Sequence, residues 1–134
     1  MKYAEDLPSW KTNTTSADTW LNRVEDMLES YGATVTSRAV GQQNGRAGLL
    51  ISFEYEGQPF RVEWPVLQSR DDNRRAALVQ AASLLHHHVK AMLVSAEALG
   101  ARTAFFAHVQ LPDGRPAFHL GNDELADSMP KLFN

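Results

Sequence analysis

The sequence predicts an α+β fold: a three-stranded antiparallel sheet with two main helices on one face, in the order α-β-β-β-α, plus a C-terminal extension with a short hairpin. Three observations predict it. Apolar residues recur at helical spacing over 17–31 and again over about 72–99, and they alternate along two runs between those stretches. Glycine or proline stands where one period gives way to the next, at Gly32, Gly57, Pro65 and Gly100. The 134 residues are an ordinary length for one domain.

Residues 1–15 are polar, contain Pro8 and show no period, so they read as an N-terminal arm ahead of a single domain over 16–134. Trp10 is expected to dock on that domain. Ser16 suits the N-cap of the first helix, whose apolar stripe is Trp20, Leu21, Val24, Met27, Leu28 and Tyr31. Gly32 is placed to close it. Residues 34–40 make the first strand, followed by a turn over 41–45. In the second strand Leu49, Ile51, Phe53 and Tyr55 share one face; in the third, Phe60, Val62 and Trp64 do. Glu56-Gly57 forms a two-residue hairpin turn that pairs Phe53 with Phe60, Ile51 with Val62 and Leu49 with Trp64. The other face is expected to show Thr36, Arg38, Ser52, Glu54, Arg61 and Glu63, and Pro65 to end the third strand.

The longest element follows a polar linker. Leu78, Ala82, Leu85, Val89, Met92, Ala96 and Leu99 alternate four and three residues apart, a heptad-like seam that stops at Gly100. About 28 residues of helix span about 42 Å, more than strands of about 20 Å can cover. Either the C-terminal segment, through Phe105, Phe106, Val109, Leu111 and Phe118, or a second subunit must cover the rest. The seam is therefore a candidate homodimer interface, with Leu78, Leu85, Val89 and Met92 as its contacts. Beyond it, Val109-Gln110-Leu111 and Pro116-Ala117-Phe118 flank Pro112-Asp113-Gly114-Arg115, a strong turn.

Composition narrows the function classes. The chain has no cysteine, which removes disulfides, thiolate metal sites and cysteine nucleophiles. No apolar run approaches the ~18 residues of a membrane span, and the N-terminus lacks the apolar stretch of a signal peptide. These features predict a cytoplasmic chain without a membrane partner. Net charge is −3, yet residues 34–116 carry nine basic against seven acidic side chains, and eight of the nine are arginines. Arg70, Arg74 and Arg75 cluster where the long helix begins, a place suited to phosphate because helix-end N–H groups add to the arginine forks. With Arg61 and Arg115 they are the candidate contacts to nucleic acid or another anion. An α-β-β-β-α order with basic residues opening the last helix is loosely similar to double-stranded-RNA-binding domains, although here the first helix and the linker are acidic.

No catalytic constellation is identifiable. There is no nucleophile elbow and no glycine-rich phosphate loop, and no serine or threonine has a recognisable base partner. His86, His87 and His88 project about 100° apart on a helix, so they cannot converge on one metal; His108 and His119 could join them only through tertiary folding. No metal or cofactor is expected.

Several short segments occur together in one order: Tyr31-Gly32-Ala33-Thr34, the Phe60–Trp64 strand running into Pro65, Arg74-Arg75-Ala76-Ala77-Leu78, the Val89–Ala98 stretch of helix, Leu111-Pro112-Asp113-Gly114-Arg115 and the Met129-Pro130 tail. In this the chain resembles uncharacterised small proteins of phages, prophages and related mobile elements over about 16–133, with the LPDGR segment the most distinctive piece. The resemblance implies no catalytic residues. It makes the expected role that of a non-enzymatic accessory protein of a mobile element, acting on nucleic acid or on a nucleic-acid-processing partner. The alternative is an oligomeric interaction or structural module that binds no nucleic acid.

Overall fold

A computed structural model describes residues 2–12, 14–43 and 46–119. Within them the expected α-β-β-β-α order is present. Helix α1 spans Ala17–Tyr31; the Ser16 side chain accepts from the Thr19 N–H, and Gly32 closes the helix with φ 108°. Strands β1 (Thr34–Gln43), β2 (Arg46–Tyr55) and β3 (Gln58–Val66) form one antiparallel sheet in the order β1-β2-β3. The β2–β3 turn has φ 50° at Glu56 and 78° at Gly57, the positive pair that matches the twist of a two-residue hairpin. All three expected cross-strand pairs form: Phe53 with Phe60, Ile51 with Val62 and Leu49 with Trp64.

The strands depart from expectation at two points. β1 runs to Gln43 rather than ending at 40, and its turn lies outside the described residues. The β1–β2 register also shifts between Val35 and Ser37, leaving Thr36 as an extra residue. A bulge reverses which face the following side chains take, so Arg38 pairs with the core residue Ile51 instead of showing on the open face. There it reaches α1, donating to Asn22 at 2.7 Å and Glu25 at 2.9 Å. β3 passes through Pro65 to Val66, which an edge strand tolerates because one side of its backbone needs no donor.

Helix α2 spans Arg74–Leu99 and is capped by Asn73, whose side chain accepts from the Ala76 N–H. Asp71 and Asp72 precede it. Leu21, Val24 and Leu28 of α1 meet Ala82, Leu85 and Val89 of α2 over the inner face of the sheet. Gly100, at φ 86°, bends the chain into a short helix, α3 (Ala101–Ala104), and the 3-10 turn Phe106–His108 follows. Residues 109–117 then form the expected hairpin: Val109 bridges Phe60, Gln110 bridges Pro116, and Gly114 takes φ 90° in the turn. This segment extends the sheet past β3. Phe105 and Val109 are buried beside α2, so the C-terminal segment supplies the cover that the sheet alone could not. No helix among the described residues is long and apolar enough to cross a membrane.

Candidate functional site

Four of the five arginines expected to face an anion are held by neighbours of their own chain. For Arg70 the N-terminal segment is the cause. Residues Ala4–Asp6 form a 3-10 turn with Ala4 buried, and the Ala4 N–H donates to the Gln68 carbonyl at 2.9 Å. From α2, the buried Gln80 amide donates to the carbonyls of Ala4 at 2.7 Å, Pro8 at 3.0 Å and Leu7 at 3.3 Å. This docking carries Glu5 and Asp6 to the start of α2. The Glu5 carboxylate accepts from the Arg70 backbone N–H, and the Ser69 hydroxyl bonds Asp71 at 2.5 Å with Glu5 as a second acceptor at 3.1 Å. Asp6 accepts from the Arg70 guanidinium at 2.7 and 2.9 Å. The guanidinium also lies over the Tyr3 ring, 4.7 Å from its centre. Asp6 is held below the usual carboxylate range, first by the Tyr3 backbone N–H and then by Arg70. Arg70 is thus fastened between two residues of the arm.

Of the other four candidates, Arg74 and Arg75 share the helix start of Arg70, and Arg61 and Arg115 do not. Arg74 pairs with Asp72 at 3.3 Å across an exposed contact, and Arg75 is exposed beside it. Arg61, on β3, lies 2.9 Å from Glu63, close enough for an ion pair though out of line for a hydrogen bond at Nε. Its Nη1 donates to the Gly114 carbonyl, tying β3 to the C-terminal turn. Arg115 pairs with Asp113 at 2.7 Å within that turn. The Asp113 carboxyl is pulled down first by the Arg115 backbone N–H and then by its side chain. The structure therefore brings Arg70, Arg74 and Arg75 to one helix start and Arg61 and Arg115 to another place.

The expected dimer seam is also used within the chain. Leu85 and Val89 are 0% exposed, and Leu78 and Met92 pack against the same core. Leu85 and Val89 are closed to a second copy, because α1, the sheet and Phe105 occupy that face of α2, while Leu78 and Met92 are half-buried. Two large apolar residues of α2 stay outside: Val94, off the seam and 64% exposed, and Leu99, the last residue of the seam, 62% exposed.

Val94 borders a groove of about 410 Å³ between the C-terminal halves of α1 and α2, lined by Asp26, Met27, Ser30, Tyr31, Lys90, Leu93, Val94 and Glu97. Its floor is apolar and its rim is charged with both signs. On α2, Lys90 precedes the Leu93-Val94 pair by three residues and Glu97 follows it by three. That order is its own complement under a two-fold axis through Leu93-Val94, since an antiparallel copy sets each Lys90 opposite the other chain's Glu97.

The three consecutive histidines fan out as helical geometry requires. His86 packs on Trp20, with ring centres 5.0 Å apart, and His87 bonds the Ser83 carbonyl. His88 turns toward Trp64 and His108. No group of three or more histidine, aspartate or glutamate side chains among the described residues could hold a metal ion.

The sequence points to docking of the arm through Trp10, and it misses the contacts of Ala4, Glu5 and Asp6 that hold Arg70. Their partners are more than sixty residues away in the chain. The usable signal was Gln80, a lone amide set among the apolar residues of α2. Comparison of the chain with models of protein families, with curated protein sequences and with solved structures finds no match in any of the three.

Proposed function

We propose that this chain is a non-enzymatic interaction module that pairs with a second copy of itself through the α1–α2 groove. On the resemblance set out above, we place it as an accessory protein of a phage or related mobile element. The observation that carries the pairing is the self-complementary order Lys90, Leu93-Val94, Glu97 along an open apolar groove. Val94 of one copy enters the groove of the other, over Met27 and Tyr31. Each Lys90 meets the other chain's Glu97. Exposed charge pairs add register more than strength. A contact of this size falls in the transient class, with a dissociation constant on the order of 1–100 µM.

A second reading, nucleic-acid binding, is favoured by one feature. Arg74 and Arg75 stand at the start of α2 in solvent, and the Arg74–Asp72 contact, with side chains 86% and 77% exposed, is a weak hold that a phosphate can displace. The pairing of Arg70, Arg61 and Arg115 with carboxylates of the same chain weighs against it. Light scattering with and without a DNA or RNA duplex separates the two readings. The pairing reading expects a mass that rises with protein concentration toward twice 14.9 kDa, unchanged by nucleic acid. Under the nucleic-acid reading, a complex forms at low salt and weakens steeply as salt rises. Replacing Arg74 and Arg75 by Ala would then reduce both affinity and salt slope.

A further inference from the structure

His88 and His108 form a buried contact that the proposed pairing does not use. His88 sits on α2, and His108 closes the 3-10 turn that leads into the C-terminal hairpin. Their Nε2 atoms are 2.8 Å apart, so one ring nitrogen donates a hydrogen and the other accepts it. His108 is 7% exposed, and its Nδ1 is buried with no partner among the described residues. A buried lone pair costs less than a buried N–H with nothing to accept it. The pair is therefore best satisfied when neutral, with His108 Nε2–H donating to His88 and its Nδ1 bare.

An added proton disturbs this arrangement wherever it lands. On His108 it puts an unpaired N–H at the buried Nδ1 and a charge in an apolar site. On His88 it fills the accepting nitrogen, so either the hydrogen bond breaks or the His108 hydrogen moves to Nδ1. The surroundings hold few groups to offset that charge. From β3, Glu63 faces the pair and favours the charged form of His108, but it is bonded to His119 of the final 3-10 turn and paired with Arg61. Trp64 of β3 and Phe118 present rings. On α2, His87 is taken by the Ser83 carbonyl, and Lys90 and, from α1, Arg23 act on His86.

We propose that the His88–His108 pair is a pH-sensitive latch, whose protonation releases the segment Phe106–His119 from α2 and β3 while the rest of the domain stays folded. Release breaks the Val109–Phe60 bridge and the Gln110 N–H to Pro59 carbonyl bond, exposing the β3 edge. Burial pushes His108 from 6.5 to about 4, with the neighbouring His88 adding to the shift, and burial lowers His88 as well. The released segment binds protons near the ordinary value and the docked one does not. The stability that the neutral pair lends to docking is therefore fully present above about pH 6.5 and is lost as pH falls toward about 4.

Backbone hydrogen exchange, expressed as protection factors, tests this between pH 7.5 and 4.5. The amides of Gln110, Leu111 and Ala117 should lose protection by up to about tenfold per pH unit for each proton taken up below about 6.5. Those of Ile51 and Val62 should hold. In the double variant His88→Gln, His108→Gln, whose side-chain amides can still bond one another, the loss should disappear. A loss that persists in that variant with the wild-type slope would overturn the latch. Loss in step with the sheet amides, or His108 titrating near 6.5 with the segment still protected, would overturn it equally.

Discussion

Gly114 shows how much one backbone angle can carry. The turn Leu111–Arg115 closes through the Gly114 N–H to the Leu111 carbonyl, and its φ of 90° is a region side-chain-bearing residues avoid. A Cβ there would meet only the Gln110 amide at 3.7 Å, so strain rather than collision is the penalty. Gly114→Val should lower stability by about 1–3 kcal/mol in denaturant unfolding; an unchanged midpoint would contradict this turn. Gln80 carries a different load, since the two hydrogens of its amide are shared among three carbonyls of the arm. Gln80→Leu should cost about 1–3 kcal/mol and speed exchange at the Ala4 and Leu7 amides, with the sheet little affected. Equal acceleration in the sheet would show instead that the arm and the core unfold as one. Gly114 was legible in sequence because a Pro-Asp-Gly run has local turn chemistry. The work of Gln80 was not, because its partners lie at the far end of the chain.

The elements themselves were largely legible. Ser16, Gly32, Gly57 and Gly100 each sit where the backbone changes direction, and the alternation in β2 and β3 sets a register that admits no slip without moving Phe53 and Phe60 out of the core. Two features escaped. The bulge at Thr36 leaves no compositional trace, yet it turns Arg38 from the open face toward α1, where Glu25, Asn22 and Asp18 receive it. The heptad-like spacing of α2 marks a buried seam without saying who buries it. Here α1, β2, β3 and the Phe105–Leu111 segment do so within one chain. A helix with more than one apolar flank can be covered by its own chain or by a copy, and periodicity alone does not choose between them.

At the scale of the molecule, charge is distributed so that most candidate arginines answer a carboxylate of the same chain, and the α1–α2 groove is an open apolar surface. Pairing of two copies there is the central claim. The most direct test is a charge-reversal cycle followed by sedimentation equilibrium. Lys90→Glu alone and Glu97→Lys alone each set like charges against one another across the two-fold axis, and both should weaken association several-fold. The double variant restores opposite charges and should recover most of the wild-type affinity, a coupling that only a direct contact produces. A mass of 14.9 kDa for the wild type at every concentration up to about 1 mM, tenfold above the weak end of the affinity expected here, would contradict the claim. Single variants that associate as the wild type does would contradict it as well.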